Sequence, residues 1–368
     1  MDKILSICIA SYNKSELTNG LVKNILTCGC SEMEVVVVDN ASTDDTVEKL
    51  NGIKDDRLRV IKNEENLGGS RNLVKSLYTG KGKFCLYTND RDIVFPEKLD
   101  GFISFLKDNP TIGGGHCVRT KVNWGGQFIE HKGVEALLSI NFRGEHPTGF
   151  FFKRELLDLI PQESIEKYAA AEPFVPFPYE NILCEIICKG HTVVQYNEVI
   201  WRSTGDETHN KYVSGFVKID EKGDRWFYPG NCLRRTIGNA EDTLRLCKEN
   251  NLTLTEEEKY RLYAHLAINQ YKYCVYRYKT IYETPSLAEH YAVNCRKVSS
   301  KELNKCRKEF KDGFIEYVRK QNGKNKQLEQ FIIAAIDNSD KQWRKARVKG
   351  FVFGFLSRIK HTLIGRSK

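Results

Sequence analysis

The chain has 368 residues, a formal net charge of +9, 40% hydrophobic residues and 29% charged residues. This composition is typical of a folded globular protein and excludes wholesale disorder. The length allows one large core, or a core domain with a helical addition. The N-terminus has no signal-peptide pattern, and no apolar run reaches the roughly 18 residues that span a bilayer. We therefore expect a protein that is neither secreted by that route nor membrane-spanning.

The twelve cysteines are scattered singly through apolar segments and form no paired C-x-x-C modules of the kind that bind zinc. We interpret them as reduced thiols in the core of a cytosolic protein.

The first hundred residues alternate short apolar runs with helical stretches. The predicted elements are strands over 5–10, 34–38, 57–63 and 84–88, and helices over 16–26, from Asp45 onwards, and over 69–78. Strands that are apolar on both faces and alternate with helices predict a mostly parallel sheet covered on both sides. Such sheets bind ligands at the carboxyl ends of their strands, where the polar clusters of this sequence fall.

The pattern becomes mixed from 113 to 210. It predicts a hairpin around Trp124-Gly125-Gly126, a buried strand over Phe150–Phe152, a helix over Tyr179–Lys189 and a strand after Gly190. Beyond 226 the sequence is helical and charged, and the aromatic segment Tyr260–Tyr282 predicts a helix pair in the core.

Asp39 follows four valines and is predicted to end a strand. There its carboxylate could accept hydrogen bonds from a nucleobase N–H or a ribose hydroxyl. The alternative is that Asp39 caps the following turn, as Asp side chains often do.

Asp90-Arg91-Asp92 follows the fourth predicted strand, Phe84–Thr88, which is also buried. Two carboxylates so close together are costly to bury without compensation, which Mg²⁺ or Mn²⁺ bridging to a diphosphate would provide. The alternative is a solvated turn in which Arg91 neutralises both aspartates.

Four motifs together resemble the donor half of a family 2 glycosyltransferase with the GT-A fold. The resemblance covers residues 4–106 and runs through Ser6–Asn13, Val37–Asp44, Asn66–Asn72 and Leu86–Asp92. It implies a nucleotide-sugar donor, UDP-linked, and a Rossmann-like, mostly parallel sheet flanked by helices.

The resemblance also implies site residues. Ala10, Tyr12 and Asp39 would line the nucleobase and ribose pocket, Asp90 would lie near the ribose or sugar, and Arg71 and Arg91 would bind the donor. Asp92 would hold Mn²⁺ or Mg²⁺. His209 is a further candidate metal ligand, although an ordinary surface histidine is the alternative. His146-Pro147-Thr148-Gly149 resembles the family's acceptor-side turn, and Trp201–Gly205 the segment that closes over the donor.

An inverting transferase needs a base for the acceptor hydroxyl, which similar enzymes place at the start of a helix, often in a Glu-Asp pair. Here the pair is Glu180-Asn181, and an amide cannot take up the proton. Glu180 is therefore the predicted base, with Glu185 and Glu172 as weaker candidates. The alternative for Glu180 is a carboxylate favoured by the helix dipole.

The C-terminal tail is basic and lacks acidic residues after Asp340. It carries Lys341, Arg344, Lys345, Arg347, Lys349, Arg358, Lys360, Arg366 and Lys368, with Val348, Val352, Phe355, Leu356, Ile359 and Leu363 at helical spacing. This pattern predicts an amphipathic helix on an anionic membrane; docking on the protein itself is the alternative. We do not expect nucleic-acid binding, because no recognition fold accompanies the charge.

These patterns predict a catalytic domain over 1–215, with a donor half over 1–106 and an acceptor half over 107–215, a helical region over 216–340 and the basic tail over 341–368. The predicted activity is inverting transfer of a hexosyl or N-acetylhexosaminyl group to a hydroxyl of a glycan or lipid-linked oligosaccharide, as in polysaccharide biosynthesis. The expected location is cytoplasmic, peripheral on the inner face of the cell membrane.

Two alternatives stay open. Asn181 favours an inactive nucleotide- or glycan-binding module of the same fold. A nucleotidyltransferase would need a glycine-rich phosphate loop after the first strand, for which Ser11-Tyr12-Asn13-Lys14 is a poor match.

Overall fold

The computed structural model describes residues 3–123, 125–143, 145–169, 178–203, 228–290 and 293–364, with backbone alone for 169, 229, 273, 290 and 346–364. The strands are β1 (Leu5–Ser11), β2 (Met33–Asp39), β3 (Leu58–Lys62), β4 (Phe84–Asn89), β5 (Ile93–Val94), β6 (Gly114–Cys117), β7 (Phe128–His131), β8 (Phe150–Lys153), β9 (Val193–Tyr196) and β10 (Trp201–Arg202). The helices of the first half are α1 (Ser15–Leu26), α2 (Thr46–Asn51), α3 (Gly69–Thr79), α4 (Pro96–Asp108), α5 (Gly133–Ser139), α6 (Arg154–Leu157), α7 (Gln162–Ala169) and α8 (Pro178–Cys188). Those that follow are α9 (Pro229–Glu249), α10 (Glu256–Lys272), α11 (Tyr278–Glu283), α12 (Pro285–His290), α13 (Ser300–Asn322) and α14 (Lys326–Ile364).

Eight of these strands form one sheet, in the order β3-β2-β1-β4-β8-β6-β9-β7. The first four are parallel, and each of the seven residues of β2 is buried. Alternate residues of β1 enter different cores: Ile7 and Ile9 pack with side chains of α1 and α4, and Cys8 packs with those of α3. The predicted parallel sheet, covered on both faces, is confirmed.

The second half of the sheet is mixed. β8 is antiparallel to β4 and to β6, and confirms the strand predicted over Phe150–Phe152. β6 and β7 both pair with β9, on its opposite sides, so the hairpin predicted between them is wrong. β5 and β10 form a separate two-stranded sheet.

The C-terminal helices share a core with the sheet. One continuous cluster of buried side chains contains Tyr87 and Phe150 from the sheet, the apolar residues of α8, and residues of α9, α10, α11, α13 and α14. The helix pair predicted over Tyr260–Tyr282 is instead one continuous helical segment. In it a π-helix over Tyr273–Arg277 joins α10 to α11. The boundary predicted at residue 215 lies outside the described residues.

α14 is continuous across the boundary predicted between residues 340 and 341. Neither α14 nor any other helix of the described chain combines enough length and apolarity to cross a bilayer.

None of the twelve cysteines forms a disulfide, and ten of them are buried, which agrees with their interpretation as core thiols. The thiols of Cys188 in α8 and Cys247 in α9 are 3.8 Å apart, at the contact between the two halves of the chain.

The close approach of β6 to β9 gives a test of this packing. A Cβ atom added at Gly115 would lie 2.0 Å from the carbonyl oxygen of Val194. We expect Gly115→Ala to lower the free energy of unfolding by about 3 kcal/mol, because backbone has to move. Urea unfolding followed by circular dichroism measures the change.

Gly101→Ala is the matched control, since Gly101 lies inside α4 with no atom within 4 Å of the added methyl group. It should raise stability by up to about 1 kcal/mol. Equal stability of the two variants would contradict the packing of β6 against β9.

Candidate active site

A cleft lies at the carboxyl ends of β1 and β4. The register pairs Ser11 with Asp39 and Ala10 with Asn89, so the ends of three parallel strands meet there. The cleft is open to solvent and contains about 580 Å³ of space between protein atoms, part of it open solvent. Its lining is formed by Ala10, Ser11, Tyr12, Lys14, Asn40, Asn66, Gly69, Asn72, Tyr87, Asn89, Asp90 and Arg91.

Asp39 ends β2 with a fully buried side chain. Its Oδ2 accepts the backbone N–H of Ser42 at 2.9 Å, so the turn role considered from the sequence is present. Its Oδ1 is buried and has no hydrogen-bond partner among the described residues. Buried polar atoms are costly to leave unpaired. A ligand N–H or O–H that reaches Oδ1 would therefore be bound, and the two roles are compatible.

Asp90 forms an ion pair with Lys14, whose Nζ lies 3.1 Å from Asp90 Oδ1. Both side chains are about one-tenth exposed or less, and both residues line the cleft. A positive charge here suits an anionic ligand such as a phosphate. The sequence interpretation missed Lys14, because a lysine in a turn before a helix has no distinctive spacing.

Asp92 is held in place by one of its two carboxylate oxygens. Oδ2 accepts hydrogen bonds from the Thr148 hydroxyl and from Asn89 Nδ2, the latter at 3.2 Å. Oδ1 is buried without a partner in the described part of the chain. Burial raises the pKa of the Asp92 carboxyl, against the opposing effects of Thr148 and Arg91. The second oxygen is thus available to a cation.

The turn that carries Thr148 is anchored to β10. His146 stacks on Trp201, with ring centroids 4.9 Å apart, and the Trp201 indole donates to the carbonyl of Cys117 at 3.2 Å. Gly149 has φ +102°, and a Cβ there would lie 2.4 Å from the indole nitrogen. Burial lowers the pKa of His146 to about 3, so its imidazole is neutral. The turn identified on the acceptor side therefore also contacts Asp92.

Not all predicted site residues line the cleft. The lining includes four of them: Ala10, Tyr12, Asp90 and Arg91. Two others, Asp39 and Asp92, are each next in sequence to a lining residue. Arg71 is exposed on α3 and is not part of the lining. His209 and Glu172 lie outside the described residues.

Glu180 is the third residue of α8 and is almost fully buried. Its position in the first helical turn also satisfies the helix-dipole alternative. Glu185, the weaker candidate in the same helix, is engaged elsewhere: its Oε2 accepts the Tyr168 hydroxyl at 2.8 Å, and Lys189 lies 3.7 Å from its Oε1.

The comparisons with known proteins agree with this geometry. The sequence profile of Glycosyl transferase family 2 matches residues 6–160. These residues form a family 2 domain.

Relatives of the family 2 domain include two glucosyltransferases. The Escherichia coli UDP-Glc:alpha-D-GlcNAc-diphosphoundecaprenol beta-1,3-glucosyltransferase WfaP is 31% identical over 107 residues, which cover 28% of this chain and 42% of that protein. The Campylobacter jejuni GalNAc(5)-diNAcBac-PP-undecaprenol beta-1,3-glucosyltransferase is 27% identical over 171 residues, covering 42% of this chain and 53% of that protein. The matched part of this chain thus spans about half of the length of these relatives, or less.

The crystal structure of S. aureus TarS 1–349 resembles nearly the whole chain. The TM-score is 0.55 at 17% identity, and the match covers 93% of this chain and 92% of that one. The predicted GT-A fold, with a helical C-terminal region, is confirmed.

Four asparagines form a hydrogen-bond network beside the cleft. Asn72 Nδ2 donates to the Val38 carbonyl at 2.9 Å, and Asn72 Oδ1 accepts from Asn63 Nδ2 at 2.9 Å. Asn63 Nδ2 also reaches Asn40 Oδ1 at 3.0 Å, and Asn40 Nδ2 donates to Asn66 Oδ1 at 2.7 Å. The network ties the ends of β2 and β3 to α3 and to the loop before it. Asn63 lies outside the four family motifs, so no sequence pattern indicated its role.

The donor set at Asp92 fits a divalent cation. The chain offers an unpartnered carboxylate oxygen, the hard ligand that Mg²⁺ and Mn²⁺ prefer. The described residues contain no group of three or more His, Cys, Asp or Glu side chains placed to hold a metal. The remaining ligands would come from a bound diphosphate and water, as is usual for Mg²⁺.

Removing the centre of the asparagine network tests its role. Asn72→Ala leaves the Val38 carbonyl and the Asn63 amide with fewer partners, so we expect a loss of about 1–3 kcal/mol in the free energy of unfolding. UDP affinity should also fall, because Asn66 and Gly69 line the cleft. Urea unfolding and calorimetric titration with UDP measure the two effects.

Asn51→Ala serves as control, because the side chain of Asn51 is exposed at the end of α2. Unchanged UDP affinity in Asn72→Ala would show that the network does not shape the cleft.

Proposed function

We propose that the protein is an inverting glycosyltransferase that moves a sugar from a UDP-linked donor to a hydroxyl of a lipid-linked or glycan acceptor. The observation that carries this proposal is the pair of buried carboxylate oxygens, Asp39 Oδ1 and Asp92 Oδ1, which lack partners in the described structure beside the same cleft. One suits a nucleoside donor group and the other a cation. The E. coli and C. jejuni relatives are named for undecaprenol-linked acceptors, and the former for UDP-Glc, which supports both substrate classes.

The donor would lie in the cleft between the ends of β1 and β4. Asp39 would accept a hydrogen bond from the uracil or ribose, and Ala10 and Tyr12 would line that pocket. Lys14 would exchange its contact with Asp90 for the diphosphate. When bound, a divalent cation at Asp92 would neutralise the charge that develops on the departing nucleoside diphosphate.

Glu180 is the proposed base. Its carboxylate would accept the proton of the acceptor hydroxyl, whose oxygen bonds to the anomeric carbon as the bond from that carbon to the diphosphate breaks. A single displacement of this kind inverts the configuration at the anomeric carbon. Glu180 is buried at the start of α8, where the helix dipole favours its ionised form.

An inactive nucleotide- or glycan-binding module remains the second candidate. It is favoured by Asn181, a buried amide where similar enzymes have the second carboxylate of the pair. The two candidates share the donor cleft and differ in turnover.

Two carboxylate variants separate binding from chemistry. With UDP-sugars, Mn²⁺ and a lipid-linked acceptor, wild-type protein should release UDP, and EDTA should stop the reaction. Asp92→Asn should weaken metal-dependent UDP binding and abolish transfer. Glu180→Gln should bind UDP like wild type but transfer sugar about 10²–10⁴-fold more slowly, the usual contribution of a general base.

Glu16→Gln is the matched control, because Glu16 is an exposed carboxylate on α1. UDP binding by wild type without turnover of any donor would favour the binding module, and full activity of Glu180→Gln would refute the base assignment.

The basic tail is proposed to bring the enzyme to its lipid-linked acceptor. α14 carries the exposed aromatic residues Phe331 and Trp343, and its backbone stays helical to Ile364 through the basic stretch. Basic side chains near an anionic surface contribute about 1 kcal/mol each. The proposed location is therefore peripheral, on the inner face of the cell membrane.

Neutralising four tail charges tests this role. The variant with Arg347, Lys349, Arg358 and Lys360 all replaced by Gln should bind phosphatidylglycerol vesicles roughly 10²–10³-fold more weakly than wild type in co-sedimentation, at unchanged UDP affinity. Wild-type binding should fall with added salt. Equal sedimentation of both proteins, or equal binding to neutral phosphatidylcholine vesicles, would favour docking of the tail on the protein.

A further inference from the structure

The helix that carries Glu180 is buried by the C-terminal helices as well as by the sheet. All eleven residues of α8 are buried. On the side of α9, Cys184 Sγ lies 3.6 Å from the hydroxyl of Thr243, and Cys188 contacts Cys247. The position of Glu180 therefore depends on a part of the chain that begins after the family 2 match ends at residue 160.

Side chains of α10 and α8 also donate hydrogen bonds to the segment that connects α5 to β8. His265 Nε2 donates to the carbonyl of Asn141 at 2.7 Å, and Lys272 Nζ donates to the carbonyl of Arg143 at 2.6 Å. From α8, the hydroxyl of Tyr179, next to Glu180 in sequence, donates to the carbonyl of Glu145 at 3.2 Å. These bonds bring Lys272 and the start of α8 to the same short segment.

Lys272 is the last residue of α10, directly before the π-helix. π-helical turns are rare and often mark functional sites. Burial lowers the pKa of the Lys272 ammonium, while the negative charges of Glu145 and Glu180 act in the opposite direction.

Two ion pairs lie near Lys272 and the start of α8. Arg143 Nε lies 3.6 Å from Glu145 Oε1, at a half-exposed position. Lys272 Nζ is held at the Arg143 carbonyl, on the segment that Tyr179 also contacts, and so adds a positive charge from α10 near the start of α8. Glu185, further along α8, pairs with Lys189 instead. A buried carboxylate is costly without such a counter-charge, and a base acts only when ionised.

We propose that Lys272 is a positioning residue of the transfer reaction, whose ammonium keeps Glu180 ionised and directed at the acceptor hydroxyl. This inference rests on the proposed function, and on Glu180 as its base. The C-terminal helices would then complete the active site of the family 2 domain.

Three substitutions separate charge from structure. Lys272→Arg keeps the charge, Lys272→Gln keeps a donor for the Arg143 carbonyl without the charge, and Lys272→Met removes both. Lys305→Gln, at an exposed lysine of α13, is the control. Thermal unfolding and UDP titration of each full-length protein establish that it is folded and binds donor, since Lys272 does not line the donor cleft.

The readout is kcat for sugar transfer as a function of pH. Lys272→Gln should lower kcat at pH 7 by roughly tenfold and move the acidic limb of the profile up by about one pH unit, because loss of a neighbouring cation raises the pKa of a carboxylate. Lys272→Arg should keep the limb near its wild-type position, and all variants should bind UDP as wild type does.

Other results would overturn the proposal. If Lys272→Gln has the same kcat as wild type and the same acidic limb in its pH profile, the charge of Lys272 has no role. Lower activity with an unmoved limb in both Lys272→Gln and Lys272→Met would assign Lys272 to structure alone. Absence of turnover by wild type would refute the proposed function itself. This result is distinct from the two outcomes above, which concern Lys272 alone.

Discussion

The donor cleft depends on carboxylates that are buried at the ends of parallel strands. Burial of a carboxylate is unfavourable unless hydrogen bonds or charges replace water. In Asp39 and Asp92, one oxygen is satisfied by the protein, through Ser42 in the first and through Thr148 and Asn89 in the second. The other oxygen of each is left for a ligand. In each carboxylate, the hydrogen bonds to the paired oxygen fix the direction in which the unpaired oxygen points.

That arrangement requires a rigid frame, which the asparagine network and the sheet provide. A side-chain amide both donates and accepts, so Asn40, Asn63 and Asn72 can link strand ends that no longer pair with each other. On the acceptor side the frame is different, because α8 has no free face. It packs between the sheet and the C-terminal helices, whose side chains join the same core. The proposed binding of donor and the proposed deprotonation of acceptor thus rest on different parts of the chain.

The sequence predicted the parallel half of the sheet well, since a strand apolar on both faces, such as Glu34–Val38, leaves few alternatives. Asp39 and Asp92 were found for the same reason: each follows such a strand. The contact of Thr148 with Asp92 spans 56 residues and has no local signature. The hairpin at Trp124 failed because glycines indicate that the chain turns but not which strands then pair. β9, which comes later in the chain, lies between the two strands concerned.

The two-stranded sheet of β5 and β10 joins residues directly after Asp92 to Trp201 and Arg202. During translation, Asp92 emerges long before Thr148, Trp201 and the strand β8 that covers the free edge of β4. Pairing across such sequence distances is slow, and an uncovered strand edge is prone to aggregation. The first four strands can associate early on the ribosome, but the sheet of β5 and β10 beside Asp92 forms only after residue 202 has been made. Nascent chains that stall before β8 has been made expose the edge of β4, the kind of edge on which chaperones act.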